Sequence, residues 1–152
     1  HKNVAWMQEQ RLIKKVITMN LDGLLEEAGC DNVLSMWGNI EDNYCVSCQK
    51  KFDSDYLRNH SVPTCDKCQS LILPIFVSRN MVALKSGIVW ANDQNKGLIL
   101  ACGSKLEHNF NFSEGLIIIN KGKTSYDAQA DYLLDADVET VFNELRGLVQ
   151  NT

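Results

Sequence analysis

The feature that most restricts what this chain can fold into is a set of four cysteines. Cys45 and Cys48 stand in "YCVSCQK", Cys65 and Cys68 in "TCDKCQS", and sixteen residues separate the two pairs. C-x2-C, a gap of this length and a second C-x2-C make a zinc-ligand spacing. Each pair turns two sulfurs to one side, and two such turns complete a tetrahedron with zinc–sulfur bonds of about 2.3 Å. Four thiolates leave no position for water or substrate, so the expected metal is structural, not catalytic. Free thiols, an iron–sulfur centre and redox chemistry are the competing readings, and two matched pairs in a polar stretch favour zinc. Cys102 ends an apolar run and reads as a small buried residue, while Cys30 follows a helix stop with no obvious base beside it.

Composition narrows the setting. The balance of 45% hydrophobic and 22% charged residues over 152 residues is that of a folded domain, with room for a small inserted module. The formal charge of 15 − 19 = −4 argues against nucleic acid as the main partner. No apolar run approaches the roughly 18 residues of a membrane span, so no membrane association is expected. "HKNVAWMQEQ" lacks the charged-then-apolar order of an export signal. Reduced thiols and a cytoplasmic setting follow as expectations.

Along the chain, residues 3–12 read as a short helix and "KVITMN" at 15–20 as a buried strand. Asp22 is placed to cap "GLLEEAG", with Gly29 as its stop, and "NVLSM" at 32–36 is the next strand. After the polar cysteine stretch come "LILPIFV" (71–77), "GLILAC" (97–102) and "GLIIIN" (115–120). Runs this apolar on both faces suit a parallel sheet covered by helices. The stretch 81–96 is ambiguous, since Gly87 weakens its helical pattern. Val138, Val141, Phe142, Leu145, Leu148 and Val149 share one helical face, with Asp135 or Asp137 as cap. The order β-α-β, small insert, β, β, β, α predicts an open α/β layer carrying a metal module.

"VITMNLDGLLEEAG" resembles the sirtuin stretch V-I-T-Q-N-I-D-G-L-H-x-x-A-G, and "NVLSMWGNIEDNYCVSC" resembles N-V-x-E-L-H-G-S-I-x-x-x-Y-C-x-x-C. "VPTCDKCQSLILP", "LILACGSKLEH" and "LIIINKGKTSYDAQADYLL" continue the likeness in order, from about residue 3 to 149. The chain is thereby identified as a member of the sirtuins, truncated and divergent, nearest the bacterial form. That resemblance implies an NAD-dependent protein lysine deacylase ancestry and a Rossmann-like sheet joined to a structural zinc module. It sets the expected domains at 1–40 with 71–152 for an incomplete Rossmann-like part and 41–70 for the zinc module. It also implies Cys45, Cys48, Cys65 and Cys68 as the metal ligands, and Asn20, Asp22, Gly103, Ser104 and Asn120 as the residues that face NAD where NAD is kept.

The departures bear on function. The family's G-A-G-x-S loop and I-P-D-F-R segment are not found, and no G-x-G-x-x-G occurs in the 152 residues, so no phosphate cradle can be drawn for NAD. The strand that carries that loop is central in a Rossmann sheet, and the edges it would leave predict a homo-oligomer or a partner chain. Trp37 stands where the family has its catalytic histidine. An indole has one N–H donor and no lone pair free to take a proton, so no catalytic base is expected there. A plugging or contact role is the favoured reading for Trp37, and a stacking surface the other. Met19 replaces a glutamine, Lys105 and Phe110 replace a serine and a proline, and "IFVSRN" replaces the acyl-lysine stretch V-V-F-F-G-E. Strand-end and capping roles compete with cofactor contact at Asn20 and Asp22, as turn chemistry does at Gly103 and Ser104. His60 and His108 are isolated and read as surface or packing residues.

Three readings result. The favoured one is a zinc-stabilised binding or assembly module without deacylase activity by itself. The alternative is a deacylase or ADP-ribosyl transferase, completed by another chain and acting on an acylated protein. The third is a fold fragment without function, which predicts aggregation.

Overall fold

The structure is a computed structural model that describes residues 1–76, 89, 92, 97–112 and 114–151. The ambiguous stretch 81–96, apart from 89 and 92, and most of "IFVSRN" lie outside the described residues. The chain divides into two compact units, one of Lys14–Leu84 with His1 and one of Lys2–Ile13 with Lys85–Thr152. Its class is mixed α/β with parallel sheets.

In the first unit, β1 (Val16–Thr18), α2 (Leu24–Glu27) and β2 (Val33–Ser35) form the expected strand–helix–strand, with β1 and β2 parallel and Val16 opposite Val33. β1 is not the buried strand expected: Ile17 is 36% exposed in a sheet of two strands. α2 starts after Gly23 at φ 67°, and the Asp22 carboxylate accepts the Leu24 N–H at 3.1 Å. Gly29 at φ 96° follows its end, a conformation glycine adopts without a Cβ clash. β3 (Gly38–Cys45) pairs antiparallel with β4 (Lys51–Phe52) and β5 (Ile72–Phe76), and α3 (Ser54–Arg58) lies between β4 and β5 in sequence. Asp53 caps α3 by accepting the Tyr56 N–H at 2.7 Å.

The run at 71–77 was expected in a parallel sheet, yet β5 pairs antiparallel with β3. Ile72 is 1% exposed while Leu71 and Leu73 are 49% and 52% exposed, so only one face of the strand is buried. A two-sided apolar run does not by itself distinguish a doubly covered strand from a half-covered one.

The second unit holds α1 (Lys2–Glu9), β6 (Ile99–Cys102), β7 (Leu116–Ile119), β8 (Tyr132–Leu134) and a terminal helix, α4 (Val138–Gln150). The three strands are parallel in the order β6-β7-β8. β7 is covered on both faces, as its run of aliphatic residues requires. Leu116 and Ile118 pack with Leu106 and the rings of Phe110, Phe112 and Tyr126; Ile119 packs with Met7 of α1 and Phe142 of α4. α1 and α4 are joined by Asn3 to Asn143 at 2.7 Å and by the Arg146 guanidinium 5.0 Å over the Trp6 ring. β8 went unread at the sequence level because its side chains are exposed throughout and carry no alternation. The apolar face foreseen for α4 is buried in its first half, whereas Leu148 is 67% and Val149 41% exposed.

Asp137, not Asp135, caps α4, accepting the Thr140 N–H at 3.2 Å. The Lys121 ammonium at 2.8 Å, and after it the Thr140 amide, hold the Asp137 carboxyl below its ordinary value. A carboxyl depressed in the folded state contributes above its unfolded pKa, and the contribution is lost as pH falls through the folded value. The first turn of α4 is therefore expected to loosen in acid, below the usual carboxylate range, and Asp137→Asn to abolish that dependence. Amide exchange at residues 138–141 against pH checks this.

Candidate metal centre

Two backbone turns build the centre, and they share one geometry. In the first, the Gln49 N–H bonds the Cys45 carbonyl at 3.1 Å and the Cys45 N–H bonds the Lys50 carbonyl at 2.9 Å. In the second, Gln69 bonds Cys65 at 2.9 Å and Cys65 bonds Ser70 at 2.8 Å. Gln49 and Gln69 both lie in the left-handed region, at φ 59° and 60°. An N–H also points at the first sulfur of each turn, from Cys48 to Cys45 Sγ at 3.5 Å and from Lys67 to Cys65 Sγ at 3.4 Å. Such donors stabilise a thiolate before any cation arrives.

All four Sγ atoms lie within 4.8 Å of one another, with Cys45 to Cys68 at 3.3 Å and Cys48 to Cys65 at 3.6 Å. A tetrahedron of 2.3 Å zinc–sulfur bonds has edges of about 3.8 Å, so the donor set fits the ion. The thiols differ in acidity. Cys68 is lowered to about 6, first by the Ser70 backbone and then by Cys45. Cys48 is raised to about 11: the Lys50 backbone bond lowers it, and desolvation together with the three neighbouring sulfurs more than offsets that. Four adjacent thiolates need a cation between them. Where zinc is bound, these residues would hold it and it would supply a cross-link between the two turns.

Side chains that the sequence reading passed over join the turns from outside. Lys50 Nζ meets both Asp66 oxygens at 2.7 and 2.6 Å, and Ser47 Oγ bonds Ser70 Oγ at 2.8 Å. The available signal was the repeated C-x-x-C-Gln followed by a polar residue, Lys50 in one turn and Ser70 in the other. Cys102 is pushed up to about 11 by burial, and burial also raises Cys30, so neither has the depressed pKa of a reactive thiol. His60 stacks on Tyr56 at 4.3 Å, and the His108 ring stands edge-on to Phe110, in packing roles.

The other candidates fall at the carboxyl ends of parallel strands, where ligands of open α/β sheets bind. Thr18 and Ser35 are register partners; Asn20 and Trp37 each follow two residues later, with Asp22 just beyond Asn20. Trp37 is half-buried in the turn between β2 and β3. In the second unit, Cys102 and Ile119 are register partners, so Gly103 and Ser104 emerge beside Asn120, and the Gly103 N–H bonds the Ile119 carbonyl at 3.0 Å. Gly103 at φ 59° turns the chain there. Most of these groups have local employment. Ser104 Oγ accepts the Leu106 N–H at 3.2 Å, and the Asn120 amide donates to the Gly122 carbonyl at 3.0 Å. Asn20 donates its own N–H to Thr18 Oγ1 at 3.0 Å, and Asp22 caps α2. Neither set of strand ends carries a G-x-G-x-x-G loop for phosphates.

The model of the Sir2 family matches residues 1–119. An NAD-dependent protein deacetylase of Thermotoga maritima is 33% identical over 155 residues, covering 91% of this chain and 62% of the relative. One of Clostridium acetobutylicum is 30% identical over 158 residues, covering 93% of this chain and 62% of the relative. The chain thus spans about 62% of the length of these two curated relatives. Among solved structures, Sir2 bound to acetylated peptide superposes with a TM-score of 0.85 at 29% identity, over 100% of this chain and 70% of the other. No helix among the described residues is long and apolar enough to cross a membrane.

Proposed function

Because the chain belongs to the Sir2 family, we propose that it is a zinc-stabilised binding or assembly module of that family, without deacylase activity by itself. In this reading residues 41–70 are the zinc module and 1–40 with 71–152 the Rossmann-like part, with Cys45, Cys48, Cys65 and Cys68 as ligands. The observation that carries it is Trp37 at the carboxyl end of β2, two residues beyond the register partner of Thr18. An indole there can fill space, stack or donate one hydrogen bond, and it cannot take a proton from a ribose hydroxyl. Loss of a general base alone lowers a rate by roughly 10²–10⁴-fold.

The second reading is an NAD-dependent deacylase or ADP-ribosyl transferase completed by a second copy or another chain and acting on an acylated protein. It is favoured by the retention of Asn20, Asp22, Gly103, Ser104 and Asn120 at strand ends, and by the acetylated peptide in a solved relative. The test is nicotinamide release from NAD and an acetyl-lysine peptide, with the mass of the zinc-loaded chain in solution recorded beside it. No release above background is the expected outcome for the chain, whether it is a monomer or an oligomer. Turnover that depends on the acetyl group would sink the first reading and establish the second.

A further inference from the structure

The β3–β5 pairing is interrupted, and the interruption ties the loop after β1 to the cysteine turns. Asn39 faces Ile75 and Asn43 faces the next residue, Pro74, so Ile40, Glu41 and Asp42 have no counterpart on β5. Proline has no N–H to give the ladder, and bulges are where sheets accommodate it. The bulged residues turn to other partners. On one side the Ile40 N–H bonds the Leu21 carbonyl at 3.0 Å, and Asn39 Oδ1 accepts the Glu41 N–H at 2.9 Å. Gly23, left-handed at φ 67°, lies against the same residues: a Cβ there would stand 3.3 Å from Asn39 Nδ2 and 3.4 Å from Glu41 Cγ. The loop that the bulge holds is therefore the one that carries Asn20 and Asp22.

On the other side the bulge reaches the metal centre. The Glu41 carboxylate meets the Arg58 guanidinium of α3 at 3.0 Å. The Asn43 amide donates to the Glu41 carbonyl at 2.9 Å and to Ser54 Oγ at 3.2 Å. Asn43 is 1% exposed and stands two residues before Cys45, and its Oδ1 meets no donor among the described residues. A buried acceptor left unpaired is destabilising, so a bulge that also lacks ladder bonds does not support itself. It is held by what flanks it: α3, and the Tyr44–Leu73 and Cys45–Ile72 pairs. Both belong to the segment that the four cysteines fix.

We propose that this bulge places the loop over residues 20–23 under the control of the metal. With the cysteine turns closed on zinc, Asn39 and Ile40 hold the loop at the end of β1; without metal they release it. The element with two states is the ribbon, folded with metal and unfolded without it. Coupling is reciprocal, so whatever orders the loop also tightens the hold on zinc. The inference rests on a structural metal at the four cysteines and on neither reading of catalysis.

Amide exchange in the chain with and without zinc tests it. The Asn20 N–H bonds Thr18 Oγ1 and the Leu24 N–H bonds the Asp22 carboxylate, so these two amides read the loop. The Val16 and Met36 amides bond the Asn32 and Thr18 carbonyls and read the β1–β2 pair beside it. Chelation is expected to raise exchange at Asn20 and Leu24 at least about 5-fold, with Val16 and Met36 changing less. In zinc-loaded Asn39→Ala the two loop amides should exchange at that faster rate while Gln49 and Gln69, in the cysteine turns, stay protected. Zinc affinity, from competition with a chromogenic chelator, should fall by a similar factor. Asn39→Asp, which keeps the acceptor for Glu41, should restore both. Gly23→Ala disturbs the contact from the loop side, with the same expected result, and is the second variant should Asn39→Ala take up no metal.

Loop amides indifferent to chelation, in a chain that binds zinc, overturn the coupling alone. So do Val16 and Met36 amides released as fully as the loop, which mark unfolding of the whole unit. An Asn39→Ala chain indistinguishable from the parent overturns it as well. A chain that takes up no zinc overturns the structural metal, and the coupling with it.

Discussion

Removing the metal with a chelator is expected to unfold the cysteine ribbon, and Cys65→Ser is expected to do the same without chelation. The ribbon is made of pieces too small to stand alone. β4 is two residues long and α3 five, and both depend on the turns that carry the ligands. Its buried cluster consists of Cys45, Cys65 and Ile72, with Cys48, Phe52, Tyr56 and Leu57 partly buried around them. Ligand sulfurs make up much of that core, so the apolar area left without them falls short of the ordering entropy of the segment. Structural zinc supplies about 10–16 kcal/mol in comparably small modules, far more than the outer Lys50–Asp66 bridge, whose groups are 43% and 55% exposed. Amide exchange reads the outcome directly. Protection across 38–46 and 64–74 should vanish on chelation and return with Zn²⁺, while β6 to β8 keep theirs. Unchanged protection in the metal-free chain would refute a structural metal here.

Ile118→Ala is the second large effect expected. Ile118 is 0% exposed at the centre of the parallel sheet, flanked by β6 and β8 and packed with Leu106 and Leu116. Deleting three buried carbons removes their transfer energy and leaves a cavity that close neighbours cannot fully collapse. A loss of about 2–5 kcal/mol follows. Leu133→Ala, one strand over, should cost well under about 1 kcal/mol, because Leu133 is 50% exposed. Urea unfolding followed by the near-ultraviolet signal of the aromatic cluster beside Ile118 compares the two. Equal losses would contradict the central place of β7.

Particular elements show how far the chain could be read in advance. β1, α2 and β2 were legible because each carries its own local signal: β-branched runs, an Asp22 cap and a Gly29 stop. β7 was legible because four aliphatic residues in succession need cover on both faces, and they have it. β5 carried the same kind of signal and meant something else. Its partner is β3, across the cysteine turns, and no property of residues 71–77 names that partner. β8 gave no periodic signal, since an exposed edge strand needs none. At the candidate metal centre the grouping of the four cysteines was legible from spacing alone, and the Lys50–Asp66 and Ser47–Ser70 links were not.

The sequence by itself determined the four-cysteine centre, the α/β class and the chemical incapacity of Trp37 as a base. Ligand identity, apolar run length and an indole's lack of a free lone pair are properties of residues and their spacing. Only the tertiary structure decided which strands pair, which side of an apolar strand is covered, and which side chains close the two turns together. Those outcomes depend on groups distant in sequence meeting in space.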